Sequence, residues 1–425
     1  MGGGHKEEDT SFMMSNRFKT LALAGSLAMV AGTAVPAAAQ TDITLWTTEE
    51  AGPLEFVEGL TTAYEEANPD VSVTTIFHAP ENMVNDVLTA AIGGQAPDLL
   101  WTQADHVGPL TAAGQIAPLD DLVDVGAYVP AAVEVVTVDG QVWGVPNSFG
   151  NALVLYYNKD MIAEPPANTD ELIELAAANT DVDSSKYGLV YDQTQSFWLT
   201  PWLGGFGASV FDEEGMPALG SDAMVEALTF LQDLKWTHGV MPLDTNIDTA
   251  NALWLGGDAA MTINGDWSLG QFADQLGDSL GIAPIPEVVG GDWPAPWLSG
   301  KYLMVPSATA EDEAKAAIVS DIIHFLNNEE NQVAMVEALA RIPGNAVAIE
   351  DPVVTDDPVI SGFAAAASNG TQQPINLEMN CAWDAMTNGL VTLYASADAA
   401  PADVAAGMQS ALEDAVAPGG ACGPE

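Results

Sequence analysis

The sequence predicts an α/β fold in two domains. Strands and helices alternate along its early part, no internal repeat interrupts the pattern, and the roughly 385 residues beyond the N-terminal segment exceed what one core usually serves. Residues 43–46 read as the first strand, and the segment after it sets Val57, Leu60 and Tyr64 on one helical face before Asn68-Pro69-Asp70 stops it. A second strand covers 71–77. The next helix runs through Val84, Val87, Leu88 and Ala91 to Gly93-Gly94, after which Pro97-Asp98 leads into a third strand at Leu99-Leu100-Trp101. Such alternation implies a mainly parallel sheet covered by helices on both faces. Further helices are predicted over 170–180, 222–238, 311–328 and 402–416. Residues 260–267 read as a buried strand that ends in a polar turn and presents Trp267, and the Gly/Pro-rich stretch 418–425 reads as a flexible tail.

The charge balance narrows the function classes. Lys and Arg total 9 against 60 Asp and Glu, a net charge of −51. Three of those bases (Lys6, Arg17, Lys19) and three acids precede residue 40, so 6 bases face 57 acids in the remainder. Nucleic acid is excluded as a partner, because its phosphates demand Lys and Arg. Self-repulsion of this size is screened only in concentrated salt, which points to a halophilic source. With 48% hydrophobic residues and 11 Trp the chain is folded, with its acids on the surface, and not an acidic disordered polymer.

The N-terminus reads as an address. Arg17 and Lys19 form a positive region, 21–35 is apolar and rich in Ala and Leu, and Ala37-Ala38-Ala39 is a small-residue cleavage site, so 1–40 reads as an upstream extension followed by a secretory signal peptide. Residues 1–12 precede a second start at Met13-Met14. The apolar run is shorter than the roughly 20 residues a membrane span needs, and no Cys stands at the cleavage site to carry a lipid. A periplasmic or extracellular protein is expected.

Five segments in order carry a resemblance. They are Thr44-Leu45-Trp46-Thr47-Thr48-Glu49-Glu50; Ala96-Pro97-Asp98-Leu99-Leu100-Trp101 with Asp105 and Gly108; Val142-Trp143-Gly144-Val145-Pro146 followed by Leu155-Tyr156-Tyr157-Asn158-Lys159-Asp160; 260–267; and Met379-Asn380-Cys381-Ala382-Trp383. Together they span nearly all of the chain beyond residue 41, and by them the protein resembles the maltose/trehalose-type sugar-binding proteins of extracellular solute-binding protein family 1. The resemblance implies a two-lobed periplasmic-binding-protein fold of type II with the ligand closed between discontinuous lobes. One lobe would comprise 41–150 and 297–345 and the other 151–296 and 346–417, with crossings near 148–154, 286–300 and 342–350.

A sugar site needs flat apolar faces for pyranose C–H groups and carboxylates or amides for hydroxyls. The resemblance places ligand contact on Glu50, Asp105, Trp267 and Trp383, with Phe197 or Trp198 as a further stacking face and Thr48, Glu49, Asn151 and Asp266 beside them. Trp143, Trp202, Trp236 and Trp254 are expected to be core. Two positions depart from the maltose pattern: His106 stands where some members carry a base, and Thr102 where an aromatic often sits. The expected partners are an oligosaccharide and the permease subunits of an ABC importer, bound by a monomer without cofactor or metal. A polyamine is the alternative ligand, since Trp with Asp/Glu also makes a cation box. Phosphorylated ligands are set aside because the segments that carry the expected ligand contacts contain no Arg or Lys.

Gly277-Asp278-Ser279-Leu280-Gly281 matches both G-x-S-x-G and the G-D-S-L hydrolase signature, and Asp321 and His324 could complete a triad on paper. A nucleophile elbow runs strand, Ser, helix; here 268–276 reads as helix and 281–286 as strand, the reverse order. Asp321 and His324, one helical turn apart, read as a solvated pair. No zinc-spaced cluster or Walker loop is present, and adjacent acids such as Asp120-Asp121 are expected by chance in so acidic a chain. Cys381 and Cys422, an even pair in an exported chain, favour a disulfide, with two free thiols the alternative.

Overall fold

The structure, a computed structural model, describes residues 40–423; the signal peptide expected over 1–40 lies outside them apart from Gln40. Twelve strands follow in chain order: β1 (Thr41–Thr47), β2 (Val71–Phe77), β3 (Leu99–Gln103), β4 (Thr137–Val138), β5 (Gln141–Val142), β6 (Val145–Gly150), β7 (Leu153–Asn158), β8 (Tyr187–Val190), β9 (Ala259–Gly265), β10 (Leu280–Ala283), β11 (Trp297–Met304) and β12 (Thr371–Gln372). They form one six-stranded sheet of order β12-β11-β3-β1-β2 with β6 on the other edge of β11, one four-stranded sheet of order β10-β7-β9-β8, and the small β4-β5 pair.

Period-two burial explains the first sheet. Leu45 and Leu99 point into one core with Val57, Leu60 and Tyr64 of helix Ala51–Ala67 and with Val319, Ile322 and Ile323 of helix Glu313–Leu326. Trp46 and Leu100 point the other way, onto Met83, Val84 and Val87 of helix Pro80–Ile92. Strands buried on both faces read as continuous apolar runs, as these do. The second sheet repeats the device: Leu153, Leu155 and Ile263 face helices Asp222–Trp236 and Leu377–Ala395, while Val154, Tyr156 and Val190 face Trp254, Phe272 and Phe363. Trp202 and Trp254 are core, as expected; Trp143 and Trp236 are half-buried.

In the first sheet β11, with the short β12 parallel to it, runs against the rest, and in the second sheet β7 does. β1 is parallel to β2 and β3, whereas β11 is antiparallel to both β3 and β6. In the second sheet β7 is antiparallel to both its neighbours. β7 and β11 are the strands that follow a passage of the chain from one sheet to the other, at 151–152 and 284–296. A chain arriving from the opposite sheet starts at the edge where the other strands end, so its direction is reversed. The expectation of mainly parallel sheets is thus qualified by these two strands.

Two boundaries differ from expectation. The helix expected over 311–328 is Glu313–Leu326, starting where the Asp312 carboxylate accepts from the amides of Ala314 and Lys315, and a separate short helix, Ser307–Ala310, precedes it. The tail expected to be flexible is docked over its described part. Cys422 is buried, its amide donates to the Ala415 carbonyl, and its sulfur is bonded to Cys381.

Candidate ligand cleft

Most of the residues singled out from the sequence lie beyond the carboxyl ends of strands, where open α/β sheets expose backbone and loops for ligands. Thr48, Glu49 and Glu50 follow β1, and Asp105 sits in the turn Ala104–His106 that follows β3. Asp266 and Trp267 form the turn Asp266–Ser268 after β9. Asn151 links β6 to β7, Phe197 and Trp198 lie on the turn Ser196–Leu199, and Trp383 is on helix Leu377–Ala395.

The aromatic residues converge. Phe197 is the hub, 6.0 Å from Trp267, 6.1 Å from Trp383 and 6.2 Å from Trp198 between ring centroids. Trp198 is buried and its Nε1 donates to the Ile263 carbonyl at 2.7 Å, so it backs the site; Phe197, Trp267 and Trp383 are half-buried and present faces. Gly265 makes the pose of Trp267 possible: a Cβ there would lie 2.1 Å from the indole ring, which folds back over the backbone. Tyr156 holds that turn from beneath, donating to the Gly265 carbonyl at 3.0 Å. Trp297, which sequence reasoning missed, packs edge-on to Trp383 at 5.4 Å.

One hydrogen bond spans the two halves directly. Trp383 Nε1 donates to Asp105 Oδ2 at 3.0 Å. Close approach is allowed by Gly108, where a Cβ would stand 2.0 Å from the Ile375 carbonyl oxygen. Asp105 Oδ1 is buried and has no hydrogen-bond partner among the described residues. Glu50, at the head of helix Ala51–Ala67, is exposed and its side chain makes no capping bond.

Glu49 behaves differently from its neighbour. Both its oxygens accept from Arg341, Nη2 to Oε2 at 2.9 Å and Nη1 to Oε1, and Oε1 also accepts from Trp101 Nε1 at 3.2 Å. Burial alone would raise the Glu49 pKa, but the charges of Arg341 and Lys301 and these hydrogen bonds outweigh it and hold the carboxyl at about 2. Lys301 Nζ donates to Thr48 Oγ1 at 3.0 Å, and Thr48 Oγ1 donates on to Gln103 Oε1. Asp266, 5% exposed, lies against the link between the sheets, its Oδ2 3.3 Å from where a Cβ at Gly150 would stand, and the next residue, Asn151, has a φ of 45° in the left-handed region. Burial pushes the Asp266 pKa up, against the pull of Arg341.

The absence of Arg and Lys from the segments that carry the expected ligand contacts was a property of those segments alone; folding brings Lys301 and Arg341 into the cleft floor. Their sequence signal was a base inside a buried apolar run, Gly300-Lys301-Tyr302-Leu303, in a chain that retains six bases beyond residue 40. His106 is no cleft base: its Nδ1 lies 2.6 Å from Thr102 Oγ1, and burial, with Lys301 adding to it, lowers its pKa against Asp105 and the Pro80 carbonyl. Other motif residues act in the scaffold. Asp98 accepts from the Thr44 amide and from Lys315, tying β1 to helix Glu313–Leu326. Ser279 Oγ donates to Asp160 at 2.7 Å and the Lys159 amide to the Ser279 carbonyl, so the Asn158-Lys159-Asp160 motif grips the Gly-Asp-Ser turn. That turn follows helix Leu269–Leu276 and precedes β10, and Asp321 accepts from Tyr64 on the first sheet's core.

Two α/β lobes whose strand ends meet beside a cluster of aromatic rings and carboxylates give the architecture of a two-lobed solute-binding protein. The chain belongs to the bacterial extracellular solute-binding protein family, whose sequence pattern matches residues 59–362. It is 26% identical over 348 residues to a maltotriose-binding protein of Pyrococcus abyssi, covering 80% of this chain and 75% of that one. A maltodextrin-binding protein of Bacillus subtilis is 25% identical over 340 residues, 77% of this chain and 80% of its own. Among solved structures, the maltose/maltodextrin-binding domain from Bdellovibrio bacteriovorus bound to maltotriose superposes with a TM-score of 0.82 at 28% identity, over 88% of this chain and 99% of that chain. A Thermus thermophilus maltotriose-binding protein bound with maltotriose gives 0.80 at 25%, over 88% and 100%.

Proposed function

We propose that the protein is the exported receptor of an ABC-type sugar importer and binds a malto-oligosaccharide by closing its two lobes around it. The observation that carries this reading is the trio of half-buried rings, Phe197, Trp267 and Trp383, set beside the free acceptor Asp105 Oδ1. Rings stack on pyranose faces while carboxylates take hydroxyls. Glu50 is the second acceptor in this reading, whereas Glu49 serves the scaffold, since both its oxygens are taken by Arg341. Relatives that bind maltotriose or maltodextrin support the ligand class. Lobes built from 41–150 with 297–345 and from 151–296 with 346–417 are part of the proposal, as are action as a monomer, export by the N-terminal signal and work in a saline medium. A sugar that touches both lobes binds the closed state better and so shifts the population toward it.

The cationic ligand is disfavoured by the cleft floor, where Lys301 and Arg341 repel a polyamine. Thermal unfolding in about 2 M salt, where charge repulsion is screened to within about 3 Å, separates the two. Maltotriose at a hundredfold excess over Kd adds about 2.7 kcal/mol and raises Tm; spermidine leaves it unchanged. Stabilisation by spermidine and not by maltotriose would reverse the assignment.

A further inference from the structure

Lys301 is 9% exposed on a strand whose following residues, Tyr302, Leu303 and Met304, are fully buried. An ammonium has three donors, and among the described residues this one has a single hydrogen-bond acceptor, Thr48 Oγ1. Around it stand the carboxylates of Glu49, Asp266 and Asp105, with Arg341 adding a like charge. Glu49 is committed to Arg341. Asp105 alone keeps a buried, unpartnered oxygen, Oδ1, while Oδ2 is taken by Trp383. β11 is registered against β3 with Lys301 opposite Gln103, two residues before Asp105, so the base and the free acceptor come from adjacent strand ends. His106, next to Asp105 in sequence, is turned into the Thr102 and Pro80 contacts.

We propose that Lys301 is a ligand-contacting, specificity-determining residue: together with Asp105 it clamps one sugar hydroxyl, which accepts from Lys301 Nζ and donates to Asp105 Oδ1. The inference rests on the oligosaccharide reading and deepens it by naming a charged donor beside the free acceptor. A hydroxyl has one proton and two lone pairs, so it satisfies both partners at once, whereas a C–H group in its place leaves an ammonium donor and a carboxylate oxygen buried without partners. Sites built this way reject the analogue that lacks the hydroxyl far more strongly than apolar faces reject a missing methylene. The clamp selects for a hydroxyl, and the rings select only for a pyranose face.

The test is a calorimetric cycle on the full chain in high salt, pairing wild type and Lys301→Met with maltotriose and a set of monodeoxy maltotrioses. One analogue should lose tenfold or more in wild type. Lys301→Met should bind maltotriose at least tenfold more weakly and no longer distinguish that analogue from maltotriose. Lys301→Arg should recover part of the affinity. Unchanged affinity in Lys301→Met, or an equal loss for every analogue, would overturn the assignment alone; wild type that binds no maltotriose would overturn the oligosaccharide reading and this assignment with it. Should the Met variant fail to fold, the ¹⁵Nζ resonances of wild type decide, since the chain has only seven lysines. Saturation with maltotriose should shift the Lys301 signal and slow its proton exchange, and an unmoved signal overturns the clamp.

Discussion

Neighbouring acids at the end of β1 have opposite fates, and geometry decides them. Glu50 is exposed at a helix start, whereas Glu49 is 3% exposed and forked onto Arg341. Glu49 therefore contributes to stability with a definite pH sign. Its folded pKa of about 2 lies below the ordinary 4.5, so the contribution is complete above pH 4.5 and is lost as pH falls toward 2. Asp266, with its pKa raised, works in the opposite direction. Glu49→Gln should cost on the order of 3 kcal/mol at neutral pH, because Arg341 loses its partner, and should flatten the acid limb between pH 4.5 and 2. Urea midpoints measured across that range check it; parallel acid limbs in wild type and variant would remove Glu49 from the account. At this scale the sequence singled out residues that belonged to a motif, and the fold brings Asp105, Trp267 and Trp383 together around Phe197. The sequence was silent on Lys301, Arg341 and Trp297, which reach the cleft through pairing and packing with residues far away in sequence.

Elements were more legible than residues because their signals are local. The apolar spacing of Val57, Leu60 and Tyr64, the stop at Asn68-Pro69-Asp70 and the Gly93-Gly94 terminator sit within a few residues of what they determine. The reversed directions of β7 and β11 were not legible, since strand direction in a sheet depends on which sheet the chain has just left. Helix Leu377–Ala395 links the element scale to the site, carrying Trp383 two residues after Cys381, which is bonded to Cys422 beyond helix Pro401–Val416. In the chain-entropy model the closed loop of 41 residues contributes about 3 to 4 kcal/mol, an upper figure because the two helices also pack on each other. Cys381→Ser with Cys422→Ser should lower Tm by several degrees, and thiol counting on unfolded, unreduced wild type should find none. Two reactive thiols per chain would contradict the bond.

For the whole molecule, charge and closure are the two governing facts. Of the six bases beyond residue 40, Lys235, Lys301 and Arg341 are buried and Lys315 is paired with Asp98, so the surface is left almost wholly acidic. Repulsion among those acids acts over about 10 Å at 0.1 M salt and about 3 Å at 1 M. The unfolding midpoint by circular dichroism should therefore rise strongly between about 0.1 M and 2 M salt. A flat response would remove the salt-adapted reading and leave the fold untouched. Trp383 of one lobe meets Asp105 of the other, and in the proposed function closure brings the rings and the acceptors onto the ligand. Titration calorimetry of maltotriose against wild type, Trp267→Ala, Trp383→Ala and Ser279→Ala tests that most directly. Loss of one aromatic face, roughly 80 Å², should remove on the order of 2 kcal/mol, nearly thirtyfold in Kd, from each Trp variant, while Ser279→Ala, in the turn before β10 and bonded to Asp160, binds as wild type. Wild-type affinity in both Trp variants would contradict the cleft as the sugar site.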